Sequence, residues 1–386
     1  MFSSLTFRSF LEDFAAVPEP RVVRSRKYEL MEILFLCLSA GVSGYDDWEE
    51  IVDFGRSKLA WLRTYLPYAA GIPSHDTVNR VMGLIDVRAF EKCFITWVQR
   101  SITLPSGAQI CFDGKRLRRS ATAQQQQTAH ADGGRSAVHL LHAWCDELGV
   151  CIGQYQTPDK ANEITALPVL LELLDVRGCV ISMDAMGCQK SVVTALTQAG
   201  ADYLLALKDN QAVLSAAVQT AFADDLAVGA PTTCTEAKPL HGRHETRTVR
   251  VLSADALQKR APQLALAQWA KLASFIEVSA TRTILTTGQV QTESRYYLSS
   301  LTVEAPDFQL LIRRHWGIEN RLHWVLDVTF REDHSRKRTQ QAAANFALIR
   351  KTALNLLRAI PDKISLQRKR NNCALSDEYR QRCLQI

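Results

Sequence analysis

Apolar positions over the first hundred residues recur every three or four places, the period of a helix with one buried face. Tyr28–Gly41 is largely apolar, and Leu30, Ile33, Leu34, Cys37, Leu38 and Gly41 share one face. Trp48, Ile51, Val52, Leu59 and Leu62 keep helical intervals, and Phe90, Phe94, Trp97 and Val98 line a further helix face. Between them Ser74 is positioned to cap a helix reaching Asp86. The breaker cluster Leu104-Pro-Ser-Gly ends this pattern. A helical N-terminal domain over residues 1–105 is therefore predicted.

The period then shortens. Gln109–Asp113, His139–Trp144, Val150–Tyr155, Val180–Asp184 and Tyr203–Leu207 are short β-type runs, and Asp146-Glu-Leu-Gly marks a hairpin between the second and third. Helical patterns over Asn162–Leu174, where Pro168 disfavours regular first turns, and over Ser191–Ala199 separate the later strands. Three antiparallel neighbours followed by crossover connections predict an α/β sheet. After a helix near Gln211–Phe222, the runs Arg247–Leu252, Phe275–Thr283 and Arg295–Ser299 predict a strand-rich insertion over about residues 209–300, with Thr287-Gly288 at a hairpin tip. Pro306-Asp307 opens a long helix expected to run from Phe308 to Leu326. There is no internal repeat, and Gln124–Gln127 is the sole low-complexity tract, read as a loop.

Composition narrows the class. The chain has 386 residues, enough for two or three domains at roughly 150 each. Its 47% hydrophobic and 22% charged residues are ordinary globular usage. The apolar run Ile33–Val42 is too short to span a bilayer, and Glu12 and Asp13 interrupt the N-terminal segment before any secretory core. The 10 cysteines form no C-x-x-C pair, which disfavours zinc ribbons and disulfide scaffolds and leads to the expectation of a soluble cytoplasmic protein. The net charge of +6 is uneven: Arg331–Ile386 carries 13 Lys or Arg against 5 Asp or Glu, so the other 330 residues sum to −2. A basic C-terminal segment suits an anionic partner such as nucleic acid, or a solvated helix.

Three acids are candidates for chemistry. Asp113 and Asp184 each close a strand-like run, where a carboxylate either caps the next element or joins a hard, oxygen-rich cation site suited to Mg²⁺. Glu319 lies within the stripe of Phe308, Leu311, Ile312, His315, Leu322 and Leu326, four residues from both His315 and His323. An acid on an apolar face is salt-bridged to a nearby Arg, partly solvated at the edge of that face, or a third carboxylate. Three carboxylates can hold two divalent ions that clamp the attacking and leaving oxygens of a phosphoryl transfer.

Phe112-Asp-Gly-Lys, Ser182-Met-Asp-Ala and His315-Trp-Gly-Ile-Glu-Asn-Arg-Leu-His-Trp resemble, in this order, the three acid motifs of bacterial insertion-sequence DDE transposases, in the group of the H-repeat-associated proteins. Gly71-Ile-Pro-Ser-His-Asp-Thr, Lys160-Ala-Asn-Glu, Leu207-Lys-Asp-Asn-Gln and His241-Gly-Arg-His-Glu-Thr-Arg are similar to further motifs of the group, so the resemblance spans nearly the whole chain. It implies an RNase H-like catalytic core over 106–345 containing the insertion, preceded by the helical domain and followed by a basic segment over 346–386. It also carries the catalytic, metal-binding roles onto Asp113, Asp184 and Glu319. The implied partners are two Mg²⁺ ions, with Mn²⁺ able to substitute, and double-stranded DNA at element ends and target, bound by a homodimer.

The sequence departs from the wider superfamily around the third acid. Ile312, His315 and Leu326 occupy the positions of a Tyr, an Arg and a Lys, the last two being residues tied to phosphate handling. A packed, neutral His315 is expected. His139, His142, Cys145 and Cys151 fit no zinc spacing, and strand alternation accounts for them. Arg336, Lys337 and Arg338, soon after the Glu319 helix, suit phosphate contacts that position DNA. Two other functions remain compatible with the sequence: an RNase H-like nuclease or resolvase, and a decayed transposase that only binds DNA.

Overall fold

Nine strands carry the β-branched and aromatic runs: β1 (Gln109–Arg116), β2 (His139–Cys145), β3 (Val150–Gln156), β4 (Val180–Met183), β5 (Asp202–Leu207), β6 (Thr233–Leu240), β7 (Arg243–Ser253), β8 (Ser274–Ile284) and β9 (Val290–Ser299). The computed structural model describes residues 6–121, 137–157, 163–224, 233–240 and 243–385. Gln124–Gln127, most of the Lys160 motif and the first two residues of the His241 motif lie outside the described residues. The chain divides into two units, residues 1–104 with 114–166 and 319–386, and residues 105–113 with 167–318. Asp113 is thus the last residue of one stretch of the second unit, and Glu319 the first of the final stretch of the first unit.

In the first unit, the helix Leu30–Val42 is buried almost all round because it lies against Ala342–Ala359, itself buried from Ala342 to Leu357. A Cβ on Gly41 would stand 3.8 Å from Ile349 Cγ2, so the glycine sits at close van der Waals contact. Phe90, Phe94, Trp97 and Val98 are buried on Val87–Ser101, and Phe10 and Phe14 join them in an aromatic cluster. Ser74 caps His75–Leu84, but that helix stops short of Asp86. Asp86 instead accepts from Ala89 N (2.7 Å) and caps the following helix. The hairpin β2–β3 is antiparallel, and Gly149 (φ 66°) supplies the left-handed residue of its turn.

The basic C-terminal stretch does not stand apart. Residues 319–386 share a unit with the N-terminal helices, and Lys337, Arg350, Lys351, Lys369, Arg370 and Arg380 are buried there. Arg370 donates to Gly41 O and to Asp46 Oδ2 (2.7 Å), and Lys369 donates to Leu357 O and Ile360 O. Much of the charge surplus is thus internal, matched by carbonyls and acids.

In the second unit the strand order is β1-β4-β5-β9-β8-β7-β6. β1, β4 and β5 are parallel, and the helix Lys190–Gln198 makes the crossover between β4 and β5. The expected insertion strands extend this same sheet, with β9 antiparallel on β5. β6 went unpredicted: its sequence Thr-Cys-Thr-Glu-Ala-Lys-Pro-Leu is largely polar, and Pro239 is tolerated because β6 is the edge strand. Pro168 lies inside a helix, Glu163–Leu173, that persists through it. Val180, Leu204, Val249, Ile276 and Tyr297 on one sheet face form a core with Ala305, Phe308, Leu311 and Ile312 of the helix Ala305–His315.

That helix does not run on regularly to Leu326. Its α-helical part ends at His315, Ile318–His323 is a π-helical turn, and α geometry resumes over Trp324–Val328. The wider turn shifts the phase of the stripe, and Glu319, expected on the apolar face, has its side chain 52% exposed.

Candidate active site

The register of β1 and β4 governs where the second unit's two acids fall. Gln109, Ile110 and Cys111 pair with Val180, Ile181 and Ser182. Asp113 and Asp184 each stand two residues beyond the last of those pairs, Asp113 still within β1 and Asp184 just past the end of β4. Neighbouring strands lie about 5 Å apart, a spacing at which two carboxylates can share a cation. Asp113 does not end its strand as expected, since β1 continues to Arg116. Asp184 does follow the end of β4, and its Oδ1 accepts from Met186 N (2.9 Å), capping the turn Ala185–Gly187.

Two further elements hold that strand pair. Gln109, wholly buried, donates from Nε2 to both Ser182 Oγ and Leu311 O, each at 2.8 Å. Cys111 Sγ lies 3.5 Å from Arg314 O, and His315 Nδ1 lies 3.0 Å from Ser182 Oγ. The helix therefore tracks along the strand pair toward the acids, and His315 is packed against a serine one turn before Glu319. Behind Asp184, Asn210 donates to Ala185 O (2.7 Å) and Cys188 O, while Gln211 donates to Cys188 O (3.0 Å). The Leu207-Lys-Asp-Asn-Gln motif, to which sequence gave no role, thus braces the loop that carries Asp184.

In the first unit Glu319 Oε1 lies 3.5 Å from His323 Nδ1. His323 Nε2 in turn lies 2.9 Å from Nδ1 of His142, and both imidazoles are buried. Burial first, then the positive charge of Lys351, holds His142 well below the usual histidine range, so it is neutral. The pairing links residues 181 positions apart, and no sequence pattern announces it. His139, His142, Cys145 and Cys151 do not gather as a metal set: Cys151 Sγ lies against Gly153 O, and the nine described cysteines are free and buried.

The DNA-contact expectation needs one correction. Lys337 is 3% exposed; its Nζ donates to Asp46 O (2.5 Å) and sits over the rings of Trp48 and Phe346 at 4.2 and 4.3 Å. It is an internal amine, unavailable to a phosphate. Arg336 and Arg338 are exposed, and Arg338 Nε donates to Arg119 O.

Comparison with known proteins supports the family resemblance. A family model described as "Transposase DDE domain" matches residues 105–356, and one described as "DDE_Tnp_1-associated" matches residues 11–98. The chain is 37% identical to the putative transposase YncI of Escherichia coli O157:H7, over 97% of this chain and 94% of that protein. It is 34% identical to the H repeat-associated putative transposase YhhI of Escherichia coli strain K12, over 97% of each. A solved piggyBac transposase synaptic complex with hairpin DNA aligns over all of this chain and 79% of that one, at 11% identity and a TM-score of 0.44. The chain belongs to the DDE transposase family. It is a DNA transposase with a mixed α/β catalytic domain, and the family's use of divalent metal and of DNA comes with that membership. Among the described residues no helix is long and apolar enough to cross a membrane.

Proposed function

We propose that this transposase cuts double-stranded DNA at the ends of its element and joins the freed 3′-OH to a target duplex, with Asp113, Asp184 and Glu319 holding two Mg²⁺ ions, or Mn²⁺ in their place. The observation that supports this reading is the β1–β4 register, in which Asp113 and Asp184 each follow the last pair, Cys111 with Ser182, by two residues. Glu319 is supported by its motif and by its place in the helical run that continues from His315. An all-carboxylate donor set is hard, anionic and matched to such ions. Bound there, the ions supply the charge that activates the attacking oxygen and stabilises the departing one.

The chain's own contribution is to hold the acids. The Met186 N–H fixes the Asp184 carboxylate, Asn210 and Gln211 fix its loop, and Gln109 fixes the helix that leads to Glu319. Direct attack on phosphorus needs no Ser, Cys or Tyr nucleophile. Arg336 and Arg338 are suited to phosphate contacts that position the duplex without reading it. A homodimer, with one catalytic unit for each element end, and a cytoplasmic location complete the reading.

Asp113→Asn, Asp184→Asn and Glu319→Gln each remove one charge at nearly constant volume. Each is expected to lower Mg²⁺-dependent cleavage of an end-bearing duplex by at least about a hundredfold, as loss of several kcal/mol of transition-state stabilisation requires. Duplex affinity in Ca²⁺ is expected to stay within about threefold of the parent. Near-parental cleavage by any one variant removes that residue from the set.

A further inference from the structure

We propose that His323, itself aligned by His142, is a positioning residue for the Glu319 carboxylate, setting its readiness to receive a divalent cation. The inference rests on Glu319 being a metal-binding acid and goes beyond that reading in assigning two histidines to its support. The juxtaposition that carries it is Glu319 Oε1, His323 Nδ1, His323 Nε2 and His142 Nδ1 in sequence, at 3.5 and 2.9 Å.

Tautomer logic fixes the direction. His142 is buried and neutral, so it brings one N–H. If His142 Nδ1–H donates to His323 Nε2, the hydrogen of a neutral His323 lies on Nδ1 and faces Glu319. If His323 Nε2–H donates instead, a bare Nδ1 would face a carboxylate, lone pair against lone pair, unless that nitrogen is protonated as well. Every favourable arrangement therefore turns an N–H of His323 toward Glu319. The first arrangement leaves His142 Nε2 as an acceptor without a hydrogen bond, and that atom is buried with no hydrogen-bond partner among the described residues.

The need for such support is local. Ile318–His323 is a π-helical turn, whose geometry is looser than α, and the Glu319 side chain is half exposed. A carboxylate on that turn gains a fixed rotamer from a donor anchored in the interior. Partners of this kind behind a metal-binding group change metal affinity by about 10- to 100-fold when removed. Neither histidine needs to touch the ion.

The test separates the two imidazole nitrogens. His323→Asn puts an amide N–H where Nδ1–H stands, whereas His323→Gln reaches only the Nε2 position and keeps the link to His142. Mn²⁺ binding to the full chain without DNA is read from the loss of the free-ion electron paramagnetic resonance signal, with Glu319→Gln alongside. The expected result is affinity within about threefold of the parent for Asn and about tenfold or more weaker for Gln, with His323→Gln adding nothing in the Glu319→Gln background. Equal effects of Asn and Gln, or the reverse order, overturn the proposal. So does a nitrogen coupling to bound Mn²⁺ that vanishes in His323→Asn, which would make His323 a ligand. If Glu319→Gln leaves Mn²⁺ affinity unchanged, the metal role of Glu319 fails first; if it weakens binding and His323→Gln does not, the positioning role alone fails.

Discussion

Lys337 shows how far a side chain's surroundings can overrule its neighbours in sequence. In the run Arg336-Lys-Arg it reads as surface charge, yet burial, and then the nearby Arg350, push its amine down to about 7. Below that pH it is charged in both the folded and the unfolded chain. Between about 7 and the ordinary lysine value of about 10.4, the unfolded chain holds a proton that the folded one lacks, so stability rises with pH through this window, by at most ~1.4 kcal/mol per unit. Lys337→Met removes that dependence. Melting temperatures at pH 7.5 and 9.5 are expected to show the parent gaining on the variant as pH rises; a constant difference would mean the amine is charged throughout. The pocket was illegible in sequence because Asp46 lies 291 positions away. Asp113, Asp184 and Glu319 were legible as acids set among apolar runs, but the His142–His323 pair, also distant in sequence, was not.

At the scale of elements, periodicity identified what burial enforces. The Phe90–Val98 face, the β2–β3 hairpin and the parallel strands were all readable, because one buried face imposes one period. What escaped lies where packing overrules local pattern: polar β6 on the sheet edge, and the π turn that interrupts the expected Phe308–Leu326 helix. A buried amide adds a polar tether to the apolar packing of the helix Ala305–His315. Gln109→Leu keeps the bulk but removes one buried hydrogen-bond donor from each of Leu311 O and Ser182 Oγ, with an expected cost of about 1–3 kcal/mol. Chemical denaturation of the two chains measures it. An unchanged midpoint would show that Gln109 fills space and does not tether the helix.

For the whole molecule, the basic surplus that suggested a nucleic-acid-binding tail is in part structural, with Arg350, Arg370 and Arg380 buried in the first unit. The identity of the protein rests instead on motif order, on the family match across residues 105–356, and on relatives sharing 34–37% of residues over nearly the full chain. The units also divide differently from the sequence boundaries, because residues 319–386 return to the unit that holds the N-terminal helices, an association of segments too distant for any local pattern to signal. The most direct measurement of the central claim is a one-pot reaction of the full chain with a labelled duplex ending in the element's terminal repeat and an unlabelled target plasmid, with and without Mg²⁺. The account predicts labelled DNA covalently joined to the plasmid through the cut 3′ end, only with Mg²⁺, and absent for Asp113→Asn. Cleavage with no joined product would make the chain a nuclease or resolvase, and joining by Asp113→Asn at the parental level would contradict the site.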